Sequence, residues 1–244
     1  MSIVTPAPSA AAPRFALRHV QLSRAGIAAI AAIMVTFSPD HSAAVGLSVF
    51  SGFAIVTGLI ELVSAWLTYP AGRRAVPLTL GALSAVAGML AGILVWRSTT
   101  FFFALVISWA LVTGLIEAIG ALRERRSPAL RAEARDSLVT GAVTVLLGLG
   151  LLLVPAQYVL TYSIENPTTQ ANDEFTLTGI IIAVGIFGAY AAIVAVFLGI
   201  AGFSPRRDGI DGRSLEGSSL DADVAGTAEP AVRTAPTRRE EETA

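Results

Sequence analysis

Ala54-Ile55-Val56-Thr57-Gly58-Leu59-Ile60-Glu61 returns as Ala110-Leu111-Val112-Thr113-Gly114-Leu115-Ile116-Glu117, with leucine for isoleucine as the one difference. Each copy sits in a long apolar run and puts a carboxylate where hydrocarbon is expected. A repeat of this fidelity marks an internally duplicated chain. An acid inside a membrane-length apolar run is costly enough to mark a site by default.

Working outward, the apolar runs number six: roughly Ala25 to Phe37, Ala43 to Leu67, Pro77 to Trp96, Phe101 to Leu122, Leu138 to Leu153 and Leu177 to Phe203. About 20 apolar residues cover the hydrocarbon core as a helix. The first run is short and is expected to borrow Val20 to Arg24, with Arg24 snorkelling to the headgroups. The fifth can extend past Pro155 toward Val159. Breaks at Ser38-Pro39-Asp40, Tyr69-Pro70-Ala71-Gly72, Arg97-Ser98-Thr99, Ser127-Pro128 and the polar stretch from Ser163 to Glu174 carry helix-ending residues. The fold class is therefore all-α, an integral membrane six-helix bundle.

Composition agrees with that class. Apolar residues make up 54% of the chain and charged residues only 14%, too few to cover a soluble domain of 244 residues. With no cysteine, disulfides and thiolate metal sites are excluded. All 17 basic residues are arginine, as in a GC-rich bacterial coding sequence. Their placement fixes an orientation. Arg14, Arg18 and Arg24 precede the first span, Arg73 and Arg74 follow the second, and Arg123, Arg125, Arg126, Arg131 and Arg135 lie between the fourth and fifth. The other side carries Arg97 with Asp40, Glu165, Asp173 and Glu174. The positive-inside rule then puts both termini in the cytoplasm of a bacterial inner membrane. Residues 1–23 read as a flexible basic flank, with Phe15 to Arg24 lying on the membrane surface. Residues 24–203 form the membrane domain and 204–244 a disordered tail too polar to bury a core.

Gly81-Ala82-Leu83-Ser84-Ala85-Val86-Ala87-Gly88 also parallels Gly141-Ala142-Val143-Thr144-Val145-Leu146-Leu147-Gly148, with Gly26 at the matching place in the first span. The chain thus reads as three parallel two-helix hairpins, about 24–68, 77–122 and 136–203. In the third, Gly188 aligns with Gly58 and Gly114, and Ala191 takes the acidic position. Parallel repeats imply an axis along the membrane normal, not the inverted symmetry of alternating-access transporters.

Gly58-Leu59-Ile60-Glu61-Leu62-Val63-Ser64-Ala65 and Gly114-Leu115-Ile116-Glu117-Ala118-Ile119-Gly120-Ala121, with the glycine-bounded helices before them, resemble the HdeD-like family of bacterial acid-resistance membrane proteins. The resemblance covers Gly26 to Gly202. It implies a six-helix inner-membrane protein of three short repeats, connected with acid or envelope stress. The long outer loop before the last helix and the tail are additions to the family pattern.

Glu61 and Glu117 lie within a few helical turns of the arginine-bearing loops. Insertion scales put a charge at the bilayer centre at a cost of ~2.5 kcal/mol or more. Each carboxyl is therefore expected to be protonated, hydrogen-bonded within the bundle or paired with an arginine. Helical spacing stacks Glu61 with Thr57, Gly58 and Ser64, and Glu117 with Thr113, Gly114 and Gly120. Small residues there admit another helix closely, and the threonine hydroxyls are placed to bond the carboxyls. Three roles compete: a structural clasp, a titrating pair, and snorkelling toward Arg73, Arg74 or Arg123. His41, beside Asp40 in the first outer turn, is a candidate pH sensor and equally a plain turn residue. Trp66, Trp96, Tyr69, Tyr158 and Tyr162 fall near span ends as interfacial anchors do.

No phosphate-binding loop, metal-ligand spacing or nucleophile triad is present, and the arginine loops are too short for nucleic acid. The expectation is a non-enzymatic membrane protein without cofactor or metal. Its partner is the lipid bilayer, joined by a homo-oligomer mate or another membrane protein. The alternatives are a small transporter or proton conductor using Glu61 and Glu117, and an accessory subunit of a membrane complex.

Overall fold

In a computed structural model, residues 17–165 and 172–204 are described; the expectations for the start of the N-terminal flank and for the tail beyond Ser204 fall outside them. Six helices form: α1 (Leu17–Thr36), α2 (Ala43–Leu67), α3 (Ala75–Gly92), α4 (Thr99–Glu124), α5 (Arg131–Leu152) and α6 (Gly179–Phe203). All six are long and apolar enough to cross a membrane, as in a multi-pass membrane protein. Ser42 and Ser98 begin α2 and α4 by accepting hydrogen bonds from the Val45 and Phe101 amides. The outward faces carry exposed Leu59, Val63, Leu115, Ile119, Val196 and Ile200, a surface suited to lipid.

Three sequence expectations change. The stretch from Leu17 to Arg24 is not a separate surface segment but the first two turns of α1. The fifth helix starts seven residues earlier than Leu138, at Arg131, and stops at Leu152 without passing Pro155. The all-helical class holds for the bundle, but the polar stretch before α6 is not a plain loop: an antiparallel hairpin of β1 (Val159–Glu165) and β2 (Asn172–Thr178) joins α5 to α6. The segment looks like a polar loop by hydropathy alone, yet Val159, Thr161, Tyr162, Ile164, Phe175 and Thr176 are strand formers. Tyr162 and Phe175 face each other across the ladder and stack at 5.7 Å.

The closest packing joins α2 to α3, α4 to α5 and α6 to α1, so α2 and α4 each pack most tightly on the helix that follows, and α6 packs on α1. Glycines make two of these seams possible. A Cβ on Gly58 would lie 2.7 Å from the Gly81 carbonyl oxygen, and one on Gly141 2.9 Å from that of Gly114. The α6–α1 seam has no such crossing: Gly188 meets Val35 and Gly202 meets Leu22. Gly26, expected to match Gly81, faces open space instead. The looser seams leave apolar clefts of about 210 Å³ between α1 and α2 and 190 Å³ between α3 and α4.

At the centre, Phe53, Trp109 and Tyr190 from α2, α4 and α6 form a ring triangle with sides of 6.0, 6.3 and 6.3 Å, every pair edge-to-face. Phe50 and Phe187 pack against it on one side, with Leu47, Phe102, Val106 and Val184 completing a fully buried apolar layer. On the other side of the triangle the bundle turns polar.

Candidate functional site

Arg24 of α1 reaches into the bundle rather than out to headgroups. Its Nη2 lies 3.2 Å from Glu61 Oε1 and its Nη1 3.6 Å from Glu117 Oε1. One guanidinium thus bridges the two repeated carboxylates, which are 5% and 8% exposed. Arg24 shares a face with Ala28, Ala31 and Val35, all buried, so the helix period carries it inward with them. This replaces the snorkelling expected for Arg24. The partners weighed for the glutamates also change: Arg73 pairs with Glu124 at 3.0 Å and Glu133 at 3.4 Å instead.

The residues expected to support the carboxyls divide. Gly58 and Gly114 admit α3 and α5 closely, while Gly120 meets Val76 of α3. Ser64 donates to the Glu61 carbonyl at 2.8 Å, not to its carboxyl. Thr113 donates to the Trp109 carbonyl at 2.6 Å. Thr57 Oγ1 is buried and has no partner among the described residues, as do Glu61 Oε2 and Arg24 Nε.

These atoms face two small polar cavities that share Arg24, Glu61 and Glu117 in their walls. The inner one, about 20 Å³, ends at the aromatic triangle and includes Thr57, Ser84 and Thr144. The outer one, about 60 Å³, extends past Ser64 and Ser137 to Tyr69, Arg73, Glu124 and Glu133. A water needs roughly 10–15 Å³ on this measure and two to four polar partners, and both cavities meet that requirement. Below the carboxylates, the Trp109 indole donates to Ser84 Oγ at 3.1 Å, and Tyr190 and Thr144 share a hydrogen bond of 3.1 Å. The polar atoms of the triangle are thus satisfied toward α3 and α5.

At the mouth, Arg73 stacks over the Tyr69 ring at 5.7 Å. Burial, reinforced by the Glu133 carboxylate, pushes the Tyr69 phenol well above its ordinary range, so it remains a neutral donor. Asp40 lies at the opposite end of the bundle, where both its oxygens accept hydrogen bonds from Ser42, from the amide at 2.8 Å and the hydroxyl at 2.7 Å. It therefore shapes the start of α2, and His41 stands outside the central cluster. Among the described residues no group of three or more His, Cys, Asp or Glu is arranged to hold a metal ion.

Compared with family models, curated proteins and solved structures, the chain matches none.

Proposed function

We propose that the chain is a non-enzymatic multi-pass protein of the bacterial inner membrane, HdeD-like in kind, whose working part is a proton-responsive latch of Arg24, Glu61 and Glu117. The observation that carries this reading is one guanidinium between two buried carboxylates, in cavities sized for water. A single cation balances one carboxylate, so the cluster has room for one proton whose arrival changes its charge. Because the three groups come from α1, α2 and α4, gain of that proton alters how strongly three helices are held together. A bundle tied by such a bond responds to acid without catalysing anything. The resemblance to acid-resistance proteins points the same way.

The same reading includes three parallel hairpins. The register that lays Glu117 on Glu61 lays the buried positions of α4 on those of α2, and carries Leu80, Gly81, Ser84 and Gly88 onto Arg24, Ala25, Ala28 and Ala32. In this register, which differs from the one that set Gly188 against Gly58, Tyr190 is the third member of the Phe53 and Trp109 positions, and Leu198 rather than Ala191 stands in place of the acids. Trp109 and Tyr190, which carry a donor, face Ser84 and Thr144, whereas Phe53, which has none, corresponds to Ala28.

The test uses Trp109, which lines the inner cavity. In a Trp66→Phe/Trp96→Phe background its emission is the only indole signal. Emission that changes on acidification, and no longer does so with Glu61→Gln/Glu117→Gln, is the expected result; a pH-independent spectrum in the parent protein overturns the latch. Proton conduction is the second reading, favoured by the cavities but opposed by the apolar layer beyond the triangle. Proton flux into liposomes that disappears with the same glutamine pair would establish conduction in place of a latch.

A further inference from the structure

A wider recess, of about 560 Å³, opens on the outside of the bundle between the start of α3 and the end of α4. Its surface is mostly apolar, with Ala75, Val76, Gly120 and Leu130 among the residues lining it, and Arg73, Arg123 and Arg126 bring cations to the same recess. Glu124 also lines it, but that carboxylate is occupied by Arg73 at 3.0 Å. Neither Arg123 nor Arg126 forms an ion pair among the described residues. Immediately before them on α4, Ile119 and Leu122 are half exposed on the apolar outer surface. The recess therefore lies where a lipid-facing wall gives way to cations.

We propose that this recess binds an anionic phospholipid, with the phosphate on Arg123 and Arg126 and the glycerol end of the chains on the apolar surface of Ala75, Gly120 and Leu130. Guanidinium groups suit phosphate oxygens because their planar fork donates two hydrogen bonds at once. A free phosphate ion has no use for an apolar surface, whereas a lipid covers it and continues down Leu122 and Ile119. This site is independent of the buried latch and stands or falls without it.

The experiment compares nanodiscs of phosphatidylcholine alone and with added phosphatidylglycerol, measuring the phosphatidylglycerol retained by the full-length protein after delipidation. The pocket pair Arg123→Gln/Arg126→Gln is set against a charge-matched pair, Arg125→Gln/Arg131→Gln, whose side chains lie outside the recess. Each arginine near an anionic surface strengthens attraction by roughly five-fold, so general attraction falls equally in both variants, roughly 25-fold for two arginines. A site-bound lipid falls further in the pocket pair, by about another order of magnitude for the loss of a charged hydrogen bond. Equal losses in the two variants overturn the proposal. So does inorganic phosphate displacing the lipid at similar concentration, which would make this a free-anion site. Ala75→Trp, which fills the recess without changing charge, is expected to lower retention in the same way; unchanged retention in that variant counts equally against the site.

Discussion

Arg24 decides more about this bundle than any other residue, because two carboxylates depend on it. Removing one partner from a buried ion pair commonly costs about 3–5 kcal/mol, since the other charge is left without a counter-ion. Arg24→Gln is expected to show a loss of that order in reversible unfolding from detergent at neutral pH. The loss should shrink as the pH is lowered, because the abandoned carboxylates then take up protons. Adding Glu61→Gln/Glu117→Gln to Arg24→Gln should restore most of the stability, since neutral amides need no cation. A triple variant no more stable than Arg24→Gln alone would mean that the arginine acts through packing instead. Both glutamates were visible in the sequence through the repeated octapeptide, but the arginine was not. It lies at the edge of a basic flank, where snorkelling is the ordinary expectation. The clue was its spacing from Ala28, Ala31 and Val35, one small-residue face on which it is the sole charge.

At the scale of helices, glycine spacing separates interior seams from outer surfaces. Gly58→Ala puts a methyl group 2.7 Å from the Gly81 carbonyl and should cost about 1–3 kcal/mol by overpacking. Gly26→Ala and Gly185→Ala meet nothing within 4 Å and should be neutral, or stabilising by up to about 1 kcal/mol from helix propensity. Melting temperatures of the three variants in one detergent make the comparison; equal destabilisation would mean that the seams are not close-packed. Six helices were legible because hydropathy and length suffice for that. Their ends were less so: hydropathy sets no limit where an amphipathic lead-in continues the helix, as at Leu17 and Arg131. The hairpin between α5 and α6 escaped because polar composition masks a strand period that is short and solvated. Which helices pair tightly was also hidden. Loop length does not decide it, because the connections from α1 through to α5 are all similarly short, and it is the glycine contacts that single out α2 with α3 and α4 with α5.

For the molecule as a whole, the polar cavities reach the carboxylates from the end bearing Arg73 and Glu133, and the apolar layer closes the other end. The chain has no cysteine, so a single introduced thiol reports access without background. Ser137→Cys, on the wall of the outer cavity, should react with a membrane-impermeant thiol reagent added from one side of oriented vesicles, and Val106→Cys from neither. Labelling of Val106→Cys from either face would mean that water passes the aromatic layer. The contact of α6 with α1 bears on a different matter, the order of synthesis. Val35 and Leu22 meet their glycine partners on α6 only when the final span has been made. Until then α1 presents an unmatched face to the bilayer and to the insertion machinery, with its arginine only partly enclosed. A chain that stops before α6 therefore leaves that face of α1 without the helix it packs on most closely.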